Sequence, residues 1–221
     1  MNRKIDFRSL IQEQKRLARL VSLKRIDKGI RFIGGADVGF DNNGGVGVIV
    51  VVEYGTLKMV DLAWAKGKIT IPYIPTLLGF REVSLLIDAY QCLTIKPDVI
   101  LVDGQGIAHP RRLGLASHLG VMLDISTIGC AKSCLIGRYE ELNEEKGEIS
   151  PLLFSNELIG YAVRTRHRVR PVFVSPGNKV DFSQSVEMVI RSVDKYRIPE
   201  PLRQAHILAK SLTNRQLRRN C

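Results

Sequence analysis

The sequence predicts an α/β protein in which an antiparallel meander is followed by parallel strands, forming one mixed sheet with helices on both faces. Three observations predict it. Residues 30–66 hold three β-prone runs separated by short turn signals, and residues 80–93 and 113–123 carry apolar side chains at helical spacing. Between those helices, Val99-Ile100-Leu101-Val102 is a wholly apolar run bounded by turn residues. Such a run reads as a strand buried on both faces, as found inside a parallel or mixed sheet.

Taken in order, residues 7–24 have apolar positions at 7, 10, 11, 17, 20 and 21 with charges between, an amphipathic helix of high propensity. Residues 30–40 form the first strand, and Asp41-Asn42-Asn43-Gly44-Gly45 is a turn. Val46 to Val52 is the most β-prone stretch of the chain, and residues 57–66 complete the meander. Ile71-Pro72-Tyr73-Ile74-Pro75 is a loop, because two prolines lack N–H donors and constrain their predecessors. A helix follows over 80–93 and closes at Lys96-Pro97. After the buried strand come a helix over 113–123 and a short strand over 127–130. Residues 138–157 are polar and glutamate-rich, which predicts a surface loop. Residues 158–164 and 172–175 read as strands, a helix starts near Asp181 or Ser183, and residues 202–212 form the last helix.

The 221 residues suit a single domain over 1–221. The charge is unusual: 33 Lys+Arg against 22 Asp+Glu leave +11. Such a surplus concentrates polyanions at the surface and fits a nucleic acid partner. Stretches of ~20 apolar residues, which a spanning helix needs, are absent, and the N-terminus has no apolar signal core. A cytoplasmic protein without a membrane partner is expected, with monomer as the default. Four cysteines without a paired C-x-x-C spacing predict neither zinc nor a structural disulfide.

The chemistry converges on acids beside glycine. Asp103 follows the buried strand in Asp103-Gly104-Gln105-Gly106, and Asp37 sits in Gly34-Gly35-Ala36-Asp37-Val38-Gly39. If their strands are neighbours, the two carboxylates share a divalent cation; Mg²⁺ favours oxygen ligands and binds through only one or two carboxylates. Glu82 is a third acid near an element's end. An isolated Asp beside Gly is more often a turn or cap residue; three in a basic protein favour a metal site. The dinucleotide fingerprint fails, because His109 stands where its third glycine belongs. Residues 71–75 make a rigid loop with an aromatic tip, of the kind that wedges between base steps. Arg164, Arg166, Arg168 and Arg170 alternate, which on an extended strand makes either a phosphate-binding stripe or a solvated face.

In this order the motifs resemble those of the endonuclease V family, nucleases that cut near deoxyinosine. The resemblance rests on Gly35-Ala36-Asp37-Val38-Gly39-Phe40, Pro72-Tyr73-Ile74-Pro75, Phe80-Arg81-Glu82, Val102-Asp103-Gly104-x-Gly106 and His109-Pro110-Arg111-Arg112. Ser117-His118-Leu119-Gly120, Thr127-Ile128-Gly129-x-Ala131-Lys132 and Pro199-Glu200-Pro201 continue it. The resemblance implies a ribonuclease-H-like fold and Mg²⁺-dependent hydrolysis, with Mn²⁺ as a substitute, of the second phosphodiester bond 3′ to the lesion. It implies Asp37, Asp103 and Glu82 as metal ligands and His109, Lys132 and His206 as further catalytic positions. Pro72, Tyr73, Ile74 and Pro75 match the strand-separating wedge, and Arg111 and Arg112 are candidate DNA contacts. The implied partner is deoxyinosine-containing DNA, with inosine-containing RNA as a second substrate class. Gln105 stands where His or Asn is more usual, and Asn178 where His is common. The competing readings are a junction or flap nuclease of the same fold and a non-catalytic basic nucleic-acid-binding protein.

Overall fold

The protein, as a computed structural model, is described for residues 6–42 and 44–213. Its strands are β1 (Phe32–Asp41), β2 (Gly44–Glu53), β3 (Met59–Gly67), β4 (Val99–Val102), β5 (Thr127–Ala131), β6 (Ile149–Phe154), β7 (Glu157–Val163) and β8 (Val172–Asn178). Its helices are α1 (Phe7–Ala18), α2 (Leu78–Gln91), α3 (Leu115–Leu123), α4 (Phe182–Arg191) and α5 (Glu200–Thr213). The strands form one eight-stranded sheet in the order β3-β2-β1-β4-β5-β8-β7-β6. β1, β2 and β3 are the antiparallel meander, and β4 and β5 continue from β1 in parallel. From β5 outward, through β8, β7 and β6, pairing is antiparallel again. This is the mixed, ribonuclease-H-like arrangement that the motifs imply.

Helices cover both faces because the central strands are apolar on both. Ile33, Val48 and Leu101 pack with Val189, Leu202 and Ala205 of α4 and α5. On the other face Ala36, Ile49 and Ile100 pack with Leu86, Ala116 and Leu119 of α2 and α3. All four residues of β4 are buried, as the sequence predicts for this strand. Each such Ile or Leu contributes roughly 1.5–3 kcal/mol on burial.

The sequence reading departs from the structure at four places. The first helix ends at Ala18, capped at its start by Asp6 accepting from Arg8 and Ser9 N–H groups. The chain beyond runs extended past α4 and β8, where Ile26 N–H donates to Gln184 and Lys179 N–H to Ser22 O. Residues 138–157 contain β6, hidden by Pro151; as the sheet's edge strand it tolerates a proline. Its burial alternates as in a strand covered on one face, with Ser150 and Leu152 inward. Arg164, Arg166 and Arg168 lie outside any strand and hold loop groups: Arg164 the Leu142 carbonyl, Arg166 that of Lys195, and Arg168 the Glu144 carboxylate. Cys92 is disulfide-bonded, against the expectation of none, while Cys130 and Cys134 are free. Among the described residues no helix is long and apolar enough to cross a membrane.

Candidate active site

The two aspartates are brought together by strand register. β1 and β4 pair in parallel up to Ala36 and Val102, and Asp103 N–H donates to Ala36 O at 3.0 Å. The next residue on each chain is Asp37 and Asp103, so neighbouring parallel strands present both acids at one sheet edge. Ligands of open α/β sheets bind at this edge. Asp37 does not end its strand, because β1 continues to Asp41 against β2.

Helix α5 supplies the third group. It rests directly on β1: a Cβ on Gly35 would stand 2.1 Å from the Pro201 carbonyl carbon, so only glycine fits. Just over a turn later His206 Nδ1 lies 2.7 Å from Asp37 Oδ2. Asp37, Asp103 and His206 thereby offer three ligand atoms within 4.8 Å of one another. Lys132, immediately after β5, ion-pairs with Asp103 through Nζ. Glu82 is buried in α2, outside that three-residue group but close enough to be coupled to both aspartates.

Burial and the neighbouring Asp103 charge raise the Asp37 carboxyl above its ordinary range, opposed by the hydrogen bond to His206. Burial, with the Asp37 charge, pushes Glu82 up to about 8. Crowded carboxylates disfavour one another's ionisation, and a cation among them relieves this. Two carboxylates and an imidazole can hold a divalent ion, and the carboxylate oxygens suit Mg²⁺ and Mn²⁺ alike.

Two cavities meet here. One of about 320 Å³ lies over Asp37, Asp103, Lys132 and His206. The other, about 290 Å³, runs from Tyr73 and Pro75 to Leu135 and also touches Asp103 and Lys132. A larger one of about 730 Å³ lies beside β6 and holds none of these groups. In the 72–75 loop Pro72, Tyr73 and Pro75 are exposed and Ile74 is half-buried, with Tyr73 at 69%.

Other predicted residues are placed differently. His109 is 3% exposed, and both its ring nitrogens are engaged: Nε2 with Thr76 O at 3.0 Å and Nδ1 with Arg111 N–H at 3.1 Å. Burial lowers it to about 4, so the ring is neutral. Arg111 donates to Thr76 and Gln14, and Arg112 bridges to Glu157 at 2.5 Å beside Phe154. Gly106 packs rather than makes room for a ligand, since a Cβ there would meet Pro176 O at 2.0 Å. Gln105 donates to Ser133 O at 3.0 Å, while its buried Oε1 has no partner among the described residues. Asn178 accepts from Ser22 N–H at 3.0 Å and donates to Gly120 O at 3.0 Å, a structural tie away from the acids. Sequence reasoning overlooked Gln14 and Thr76, which bond to each other across 62 residues beside His109 and Arg111. It also overlooked Arg197, which donates to the Lys132 carbonyl at 2.8 Å. Nothing in the local sequence of any of these marks its partner.

A family model described as Endonuclease V matches residues 15–207. Endonuclease V of Dictyoglomus thermophilum is 40% identical over 214 residues, covering 97% of this chain and 94% of its own. The crystal structure of endonuclease V from Streptomyces avermitilis superposes with a TM-score of 0.89 at 37% identity, covering 94% of this chain and 93% of that one. Ciona intestinalis endonuclease V, solved in complex with a 23mer DNA containing an inosine followed by a ribo-adenosine, has a TM-score of 0.84 at 28% identity and covers 95% and 98%. With residues 15–207 matched by the family model and a relative 40% identical over 97% of its length, the chain belongs to the endonuclease V family.

Proposed function

We propose that this protein is a divalent-metal-dependent endonuclease that recognises deoxyinosine in DNA and hydrolyses the second phosphodiester bond 3′ to it, in repair of deaminated adenine. The observation that carries the reading is the pairing of Asp37 and Asp103 beside His206, with a cavity reached from Tyr73 that also opens onto Asp103 and the adjoining Lys132. The inosine-containing DNA bound by the Ciona protein supports the choice of substrate.

The roles follow from position. The 72–75 loop parts the duplex and Tyr73 stacks against the opened base pair, while the extruded hypoxanthine enters the neighbouring cavity. A mispaired base costs less to unpair, which contributes to selectivity. The scissile phosphate then lies over the aspartates. Lys132 offsets charge that develops on phosphorus, and His206 fixes the Asp37 carboxylate through its Nδ1 contact. Asp37, Asp103 and His206, with Glu82 nearby, would hold Mg²⁺ or Mn²⁺, which would supply Lewis acidity toward the phosphate and toward water. The water oxygen bonds to phosphorus, the P–O3′ bond breaks, and protonation of O3′ leaves 3′-hydroxyl and 5′-phosphate ends.

The test is a labelled duplex with one deoxyinosine, incubated with Mg²⁺ or with EDTA. A single metal-dependent nick one nucleotide beyond the lesion's 3′ neighbour bond is expected. Nicks spread evenly along the strand, or none, would refute the reading. The same oligonucleotide with a ribose inosine context measures how far RNA is also a substrate.

A further inference from the structure

We infer that Gln14, His109 and Arg111 form a clasp on Thr76 that locks the 72–75 loop in its duplex-opening geometry, so that they are positioning residues. The inference rests on the endonuclease reading above and deepens it.

Thr76 follows the exposed loop directly, and its φ of +69° lies in the left-handed region. For a β-branched residue that conformation is strained and persists only where surrounding contacts over-determine it. Those contacts are present. The Thr76 carbonyl accepts from Gln14 Nε2 at 2.9 Å, from an Arg111 guanidinium nitrogen at 2.9 Å and from His109 Nε2 at 3.0 Å. The Thr76 hydroxyl accepts from Arg111 at 2.6 Å. Arg111 Nε donates to Gln14 Oε1, and Gln14 Nε2 also donates to Leu113 O at 2.9 Å. Because Nε2 of His109 donates while Nδ1 accepts from Arg111 N–H, a single neutral tautomer satisfies both contacts.

The clasp ties three separate parts of the chain together: α1, the loop and the segment after Asp103. Gln14 is 2% exposed, and α1 buries only it and Leu17. Burying an amide is unfavourable unless every polar atom finds a partner, and here the partners are the loop, Arg111 and Leu113. An apolar side chain would serve packing more cheaply, so the amide at this position serves geometry. With its fork engaged on Thr76 and Gln14, Arg111 is not a free phosphate contact. A wedge that must force a duplex open needs a stiff base, and this one is held from three sides.

The experiment uses full-length Gln14→Met and Arg111→Lys variants, checked for wild-type circular dichroism, on deoxyinosine in duplex and in single-stranded DNA. Only the duplex requires strand opening. For Gln14→Met, kcat/KM on the duplex should fall about tenfold or more, as expected for a displaced positioning group, while single-strand cleavage stays within about threefold. Arg111→Lys keeps the charge but not the fork, and should lose duplex cleavage to the same degree. Equal losses on both substrates would overturn the clasp and make Gln14 a fold residue. Duplex activity retained by Arg111→Lys would overturn it too, assigning Arg111 to charge alone. Opening is read independently from 2-aminopurine fluorescence beside the inosine in duplex bound without metal. Wild type should raise it and the two variants should not. A wild type that opens the duplex without cutting it with Mg²⁺ would sink the nuclease reading and uphold the clasp. If the variants open the duplex as well as wild type does, the clasp fails.

Discussion

Asp37 and Asp103 each stand one residue beyond Ala36 and Val102, the last parallel pair between β1 and β4. No loop has to fold correctly to bring the two carboxylates together; the sheet register does it. Shifting either strand by one residue would turn its acid to the opposite face.

Asp103→Asn keeps the shape of the side chain and removes its charge. It should lower kcat on the inosine duplex by at least about 100-fold, the scale on which loss of a positioned electrostatic group acts. Duplex affinity in the absence of metal should change little. Wild-type protein in EDTA should match the variant. Single-turnover nicking, together with a gel-shift without metal, checks both; an active Asp103→Asn protein would remove Asp103 from the metal site.

Glu82 gives the metal-free protein a pH dependence with a definite sign. Its folded value, about 8, lies above the ordinary 4.5, so between these limits the folded state holds a proton that the unfolded chain has released. Stability therefore falls as pH rises through that window, by a total on the order of a few kcal/mol. Glu82→Gln should flatten the trend, so in EDTA at pH 8 the variant should be the more stable protein while cutting DNA less well. Urea unfolding at pH 5 and pH 8 measures it, and parallel curves for the two proteins would contradict the assignment.

The paired acids and the exposed 72–75 loop were legible in the sequence because local punctuation marks them. A carboxylate beside glycine after an apolar strand, and two prolines around a tyrosine, need no distant partner to be recognised. His206 was legible only through family resemblance, and the structure places it on Asp37 and Lys132 on Asp103. What escaped was what depends on long-range contact. Gln14 reads as one more polar residue in a charged helix, yet it closes a bond to Leu113 across 99 residues. The alternating arginines from 164 to 170 mimicked a strand face, but Arg164 and Arg166 bind loop carbonyls and Arg168 the Glu144 carboxylate. β6 was obscured by a proline that is harmless at the sheet's edge. Asn178, a departure from the family pattern, ties the 19–31 segment to α3 and leaves the acids untouched.

Two buried histidines make the fold acid-sensitive. Burial lowers His109 and His118 from 6.5 to about 4 each. Between those values the unfolded chain binds protons that the folded one refuses, so stability is whole above pH 6.5 and is lost as pH falls toward 4. At 1.36 kcal/mol per unit, each site accounts for roughly 3 kcal/mol over the window. His118, edge-on to Phe80 at 4.8 Å between centroids, lies apart from the clasp and isolates the effect. His118→Leu should shrink the stability difference between pH 7 and pH 5, followed by thermal unfolding; an undiminished difference would show that this ring does not titrate in the window.

Tyr73 is 69% exposed at the tip of a loop anchored at Thr76. A large aromatic held out into solvent adds little to the fold, so Tyr73→Ala should leave the melting temperature within about a degree, as surface substitutions usually do. Its ring should instead matter when a base pair opens against it. Stacking of one base on an aromatic is worth about 1–3 kcal/mol, which corresponds to a loss of roughly 5- to 150-fold in kcat/KM on deoxyinosine duplexes. Tyr73→Phe keeps the ring and should keep most of the rate, separating stacking from any hydrogen bond of the hydroxyl. The Mg²⁺ concentration for half-maximal cleavage should be the same in all three proteins, because Tyr73 touches none of the ligand groups. A Tyr73→Ala protein that nicks the duplex at the wild-type rate would show that the wedge works through its prolines and Ile74 instead.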